Sequence, residues 1–205
     1  MPDPSPTEPA DNSTSVRLRR VNNLAARIRS ISRRTARHAR DIDEFNAWFD
    51  ARLDAIVRAH NAVLRSDGSQ ADLGEVIFDA LESHCIGRRN WTADGPYAPL
   101  PSGLLEALAL VVHELAFEAS LSGALGGEAA RVAVSWTLDG DPETLTLEWR
   151  EDDVVDRVVS PGFGFLAELM ERSLPQETGA RTSLETSPTG LVARVEARVS
   201  AGGVK

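Results

Sequence analysis

His113 and Glu114 are the pair whose types and placement first suggest chemistry in this 205-residue chain. They lie in LLEALALVVHELAFEASLSGAL (104–125), an otherwise apolar run. An acid in such a run needs a job or a partner, because an unpaired buried charge costs on the order of several kcal/mol. A zinc-hydrolase reading of His-Glu requires a second histidine at position 117, one helical turn further on. That position is Phe117, so the reading fails. Gly162-x-Gly164-x-x-Ala167 imitates a dinucleotide-binding turn, with Glu185 roughly where a ribose-binding acid would stand. Its flanks alternate like hairpins and not like strand–helix–strand units, which argues against that chemistry. The single cysteine, Cys85, excludes an internal disulfide and fits a reducing, cytoplasmic setting.

The elements that must position these residues are legible in outline. Leu104, Leu105, Leu108, Val111, Val112 and Leu115 recur at the spacing of a helix with a wide buried face. Pro101 and Ser102 read as its start and Gly126-Gly127 as its stop. Residues 16–40 form a basic helix with a narrow seam of Val21, Leu24, Ile28, Ile31, Thr35 and His38. Asp41 and Glu44 form a D-x-x-E capping pattern that opens a second helix. The apolar side of that helix uses Phe45, Trp48, Phe49, Leu53, Ile56, His60, Val63 and Leu64. Two such helices make a hairpin that buries too little alone, so two copies are expected to pair as a homodimeric four-helix bundle.

Ser66-Asp67-Gly68-Ser69 breaks the chain there. Beyond it, 72–83 read as helix and the stretch to Leu100 as irregular or extended. RVAVSWTL (131–138) and TLTLEWR (144–150) alternate strictly and form a hairpin. VVDRVV (154–159) is a third strand candidate, 165–174 a helix, and 180–186 with 190–199 a closing hairpin. The expected organisation is a disordered tail (1–15), a helical hairpin (16–66), an α+β sandwich (71–199) with one helical layer on one sheet, and a short tail (200–205).

Composition bounds the function. A hydrophobic fraction of 42% and a charged fraction of 26% are those of a soluble globular protein. No apolar run reaches membrane-spanning length, and the Pro- and Ser-rich N-terminus has no apolar core, so neither a membrane span nor a signal peptide is expected. Residues 16–66 carry a net charge of +7 and the remainder −16. The basic helix suits an acidic partner surface. Nucleic acid is a weak expectation, since the whole chain is acidic and carries no recognition motif.

In this order the motifs resemble the HWE family of sensor histidine kinases, over about residues 16–199. His113 in HELAFEA matches the family's metal-binding box, and Trp149 with Glu151 in LEWRE matches its Trp-x-Glu. RLDAIVRAHNAVLRS (52–66) is similar to the second hairpin helix, and Gly162-Phe163-Gly164 to a later glycine box. The resemblance implies a dimerising phosphoacceptor hairpin followed by a Bergerat-type ATP-binding sandwich. It also implies that Arg19, in Arg19-Arg20-Val21-Asn22-Asn23, occupies the acceptor-histidine position. A guanidinium is protonated at any useful pH and has no lone pair with which to attack a phosphate, so autophosphorylation there is excluded.

The implied nucleotide site is altered as well. Glu118 stands at the family's magnesium-ligand Asn, Leu121 where its Lys would be and Ser122 at the Tyr that follows. Asp153-Val154 replace a Gly-Gly pair that lets backbone approach the base. No metal or cofactor is expected, with ATP and magnesium implied if the site still functions. The leading expectation is a non-catalytic pseudokinase of two-component signalling that dimerises and binds a response regulator receiver domain or a partner kinase. Arg19, Arg20 and Arg27 would form part of its docking face. Two alternatives stay open: a divergent kinase or phosphotransferase using His38 or His60, which otherwise read as buried structural histidines, and a nucleotide-sensing module.

Overall fold

The computed structural model describes residues 10–66, 70–141, 143–155, 160, 162–172, 174 and 178–199, with backbone alone for 10–20 and 23. Helix α1 (Ala10–His38) and helix α2 (Ile42–Ser66) form the expected hairpin. The turn between them is fixed by Asp41, whose carboxylate accepts a hydrogen bond from Glu44 N at 2.8 Å. The Glu44 side chain reaches back to Arg40 N at 2.7 Å, one residue earlier than a capping box would place it. Helix α1 begins six residues before the expected Val16, so 10–15 are not disordered tail. Asp11, Asn12 and Ser13 after Pro9 are helix-start residue types, and extending an existing helix costs far less than nucleating one. The tail segments 1–9 and 200–205 lie outside the described residues.

Strand β1 (Gln70–Asp72) leads into α3 (Leu73–His84), then β2 (Trp91–Asp94), β3 (Pro99–Pro101) and α4 (Ser102–Ser122). Strands β4 (Arg131–Asp139) and β5 (Thr144–Asp152) precede α5 (Phe163–Arg172), and β6 (Arg181–Ser187) and β7 (Gly190–Arg198) close the chain. The main sheet runs β2-β4-β5-β7-β6, and β1 pairs with β3 in a separate two-stranded sheet. All main-sheet pairs are antiparallel except β2 on β4. The stretch before Leu100 thus supplies a parallel edge strand that its sequence does not announce. The third strand candidate is not extended at its start: Val154 follows a turn and is held through its N–H by Thr189 O, and 156–159 lie outside the described residues.

Strand periodicity sends Val132, Val134 and Trp136, then Leu145, Leu147 and Trp149, then Ala193, Val195 and Ala197 to one buried face. In register, the large Trp149 lies opposite Val134 on one side and the small Ala193 on the other, which leaves it room. Against this face the core continues into α3, α4 and α5. Helix α4 ends at Ser122, with Gly123 in the left-handed region (φ 77°), one turn before the expected Gly126 stop. Asn90 secures the following loop by donating to Ala124 O and Ala130 O (both 2.8 Å) and accepting from Gly126 N (2.7 Å).

The helical layer is not the outermost one. Helix α2 lies along α4, with Arg52, Ala55, Ile56, Ala59, Ala62 and Val63 buried. That is why α4 is buried almost continuously from Leu104 to Ala116 and shows no solvent face. Among the described residues no helix is long and apolar enough to cross a membrane.

Candidate functional site

The acids of α4 are all taken up by neighbouring elements. Glu114, 1% exposed, receives two hydrogen bonds from the Arg52 guanidinium, at 2.7 and 2.6 Å. Arg52 is 1% exposed, receives further support from Thr35 Oγ1 on α1 at 3.0 Å, and lies over the Phe165 ring at 3.6 Å. This is a fork-to-fork pair with the remaining face stacked on an aromatic ring, the geometry that best offsets the cost of burying both charges. Burial pushes the Glu114 carboxyl above its ordinary value, and Arg52 pulls it back.

His113, one residue earlier, has its Nε2 3.9 Å from Glu114 Oε1. Its Nδ1 lies 3.0 Å from His84 Nε2, so one ring donates to the other. Burial, and then the positive charges of Arg52 and Arg58, push His113 down to about 3. Burial, and then His113 itself, push His84 down to about 4. Both imidazoles are neutral at physiological pH.

Glu118 is 2% exposed and accepts from Ser160 Oγ at 2.5 Å. Ser160 Oγ in turn accepts from Gly162 N at 3.0 Å. A Cβ added at Gly162 would stand 3.1 Å from Glu118 Oε1 and 3.3 Å from Ser160 Oγ, so the glycine admits their close approach, with Trp48 of α2 in ordinary contact at 3.7 Å. At Gly164 an added Cβ would stand 2.9 Å from His38 Cε1; the space before this glycine holds an imidazole from α1. His38 lies edge-on to Phe165 and 3.8 Å from Glu168. Trp48 lies edge-on to Phe117.

The structure therefore gathers Glu114, Glu118, Gly162 and Gly164 against the hairpin, which contributes Arg52, Trp48 and His38. Trp149 and Glu151, two apart on β5 and hence on one face, satisfy each other: Trp149 Nε1 donates to Glu151 Oε1 at 3.1 Å. Asp153 takes the left-handed conformation (φ 58°) that a glycine would favour at this position. The turn thus keeps a glycine-type backbone at Asp153 while carrying a charged side chain. Asp153→Gly is expected to raise stability by about 1 kcal/mol in urea denaturation, since a left-handed L-residue costs roughly that much.

His60 is not the buried structural histidine expected. Its side chain is 43% exposed and its Nδ1 lies 3.1 Å from Glu106 Oε1. Arg27, expected on a docking face, instead donates to Glu106 Oε2 at 2.5 Å and to Gly103 O at 3.0 Å. The side chains of Arg19 and Arg20 lie outside the described residues. Sequence reasoning missed the roles of Arg52, Ser160 and His84, and placed Thr35 in the α1 seam without its contact to Arg52. Arg52 had a usable signal, since it continues the spacing 48-52-55-59-62 along α2 as the one charge among residues that the fold buries. Among the described residues no cluster of three His, Cys, Asp or Glu could hold a metal ion.

A five-stranded mixed sheet under α3, α4 and α5, preceded by a helical hairpin, defines a histidine-kinase core with a Bergerat-type ATPase fold. The histidine kinase domain from Erythrobacter litoralis EL346 blue-light activated histidine kinase has the same fold, with a TM-score of 0.52 and 13% identity over 85% of this chain and 94% of that one. The HWE histidine kinase family model matches residues 19–97. A blue-light-activated histidine kinase of Brucella anthropi is 32% identical over 188 residues, 89% of this chain and 38% of the relative. That of Brucella ovis is 26% identical over 186 residues, 88% and 38% respectively. The chain belongs to the HWE histidine kinase family, and it spans about two fifths of the length of these relatives.

Proposed function

We propose that this chain acts in two-component signalling as a non-catalytic member of its family, associating with partners without transferring phosphate itself. The observation that carries the reading is the Arg52–Glu114 pair, which engages the acid of the metal-binding box from the hairpin. A magnesium–nucleotide complex does not fit this packing. Glu118 is occupied by Ser160, Trp48 stands before Gly162 and His38 before Gly164. Arg19 at the acceptor position agrees with the same reading. Incubation of the full chain with γ-labelled ATP and magnesium is expected to leave no label on it, and ATP to cause no thermal shift. Label at catalytic rates, or tight ATP binding, overturns the proposal.

Association is read as homodimerisation plus binding of a response regulator or partner kinase. The hairpin turns one face to α4 and leaves another outward, where Ile42, Val57 and Leu64 are exposed. Pairing two such faces gives the four-helix bundle. Val57→Glu is expected to weaken the dimer at least tenfold, about 1.4 kcal/mol, in sedimentation velocity while leaving the thermal midpoint of the monomer unchanged.

One observation favours a second reading, histidine phosphotransfer at His60. A carboxylate on Nδ1 of a half-exposed imidazole fixes the tautomer whose Nε2 carries the lone pair. Acid-labile label acquired from a phosphorylated receiver and absent in His60→Ala would establish it in place of the first.

A further inference from the structure

Helix α1 carries Arg29, Arg33 and Arg37 at four-residue steps, which sets them in a row about 6 Å apart. The row edges a cleft of about 440 Å³ between α1 and α5, and Arg172 lines its other wall. Among the described residues Glu168 is the one carboxylate lining that cleft; it holds Arg37 at 2.6 Å and lies 3.8 Å from Arg34. Glu171, outside the lining, lies 3.9 Å from Arg172, so the five guanidinium groups of the cleft keep a net positive charge. The crowding registers on Arg34, which burial, with Arg37 and Arg172, holds below the ordinary guanidinium value against the pull of Glu168.

The cleft runs into a second one of about 260 Å³, sharing Ser30, Arg34 and Arg172 with it. Ile31, Ala107 and Leu110 give it an apolar floor, and the carboxylate that also lines it, Glu106, is neutralised by Arg27 at 2.5 Å. An apolar floor beside a row of cations with the rise of one helical turn is the complement of a helix with an apolar face and an acidic flank. A nucleic-acid backbone would use the row and gain nothing from the floor. We propose that this groove is the docking site for an acidic amphipathic helix of a partner protein.

The proposal deepens the association reading and rests on it only for purpose. It moves the contact surface from Arg27, which is engaged within the chain, to Arg29 and Arg33, which are exposed. The two fail separately, since phosphate turnover would sink the first and leave the groove untouched.

The test titrates the full chain, by fluorescence anisotropy, into a labelled helical peptide with Glu at every fourth position and Leu along the adjoining face. This peptide should bind at least tenfold tighter than one of the same composition with the order scrambled. Arg29→Glu/Arg33→Glu should remove at least tenfold of that affinity with an unchanged thermal midpoint. Ser30→Trp, which blocks the junction of the two clefts, should weaken binding without altering net charge. Equal binding of the scrambled peptide overturns the proposal, as does displacement of the peptide by a short DNA duplex at lower concentration.

Discussion

Arg52→Ala lowers the unfolding free energy of the chain by about 3–5 kcal/mol, the usual consequence of leaving one member of a buried ion pair without its partner. The position makes the upper part of that range the expectation. Glu114 keeps its burial, loses both hydrogen bonds and has Phe165 as its new neighbour across the gap, while Thr35 Oγ1 loses the guanidinium N–H it accepts. Equilibrium denaturation in urea measures the loss. The companion variant Arg52→Met/Glu114→Leu removes both charges at similar volume and is expected to cost less than about 2 kcal/mol, because the pair carries a desolvation penalty that apolar side chains do not. If the single variant loses under 1 kcal/mol, the pair does not hold the hairpin to α4. The same cycle separates strength from specificity. A doubly apolar protein that is stable but exposes α4 to proteolysis would show the ion pair fixing where α2 lies.

What the sequence made legible follows the range over which each signal acts. The β4–β5 and β6–β7 hairpins could be read because alternation is local and both partners are adjacent in the chain. Strand β2 could not, since WTAD is four residues long and its partner β4 lies some forty residues on. The helical hairpin was legible from its caps and period, but its orientation was not. Leu64 shares one apparent seam with Ile56 and Val63, whereas the fold leaves Leu64 exposed, buries Ile56 and Val63, and holds Trp48, Phe49 and Leu53 half-buried between the two faces. A heptad-like stripe on a 25-residue helix is wide enough for two faces, and only the position of α4 divides it. The box residues were found by type and order. Their partners, Arg52 and Ser160, lie 62 and 42 positions away, and nothing local specifies a contact at that separation. Asp153 shows the converse case: replacing glycine suggests a changed backbone, yet the turn between Asp152 and Val154 is enforced by the strand and by Thr189 strongly enough to hold an L-residue left-handed.

The chain is expected to lose about 3 kcal/mol of stability between pH 7.5 and pH 5, with the His84–His113 pair as the source. In the unfolded chain both imidazoles titrate near 6.5; in the fold His84 is pushed down to about 4 and His113 to about 3. The native state therefore binds fewer protons than the unfolded one throughout this window. Stability is full above about pH 6.5 and falls as the pH drops, at up to about 1.4 kcal/mol per pH unit for each group. Two groups over one and a half units give an upper bound near 4 kcal/mol, reduced because His84 is partly open to water. Arg52 and Arg58 repel a proton on His113, and Glu114 and Asp79 attract one to His84 too weakly to offset burial. Glu114, 3.9 Å from His113 and raised by burial against the pull of Arg52, acts in the opposite sense, since the fold takes up its proton before the unfolded chain does, and so trims the loss. The carboxylates held low by arginine partners, Glu44, Glu148 and Glu168, add to the acid lability only near and below their ordinary range, under about pH 4.5. Urea denaturation at the two pH values measures the slope. His84→Gln/His113→Gln, which retains hydrogen-bonding groups and removes both titrations, should flatten it to under about 1 kcal/mol, and an equally steep slope in that variant would place the acid sensitivity elsewhere in the fold.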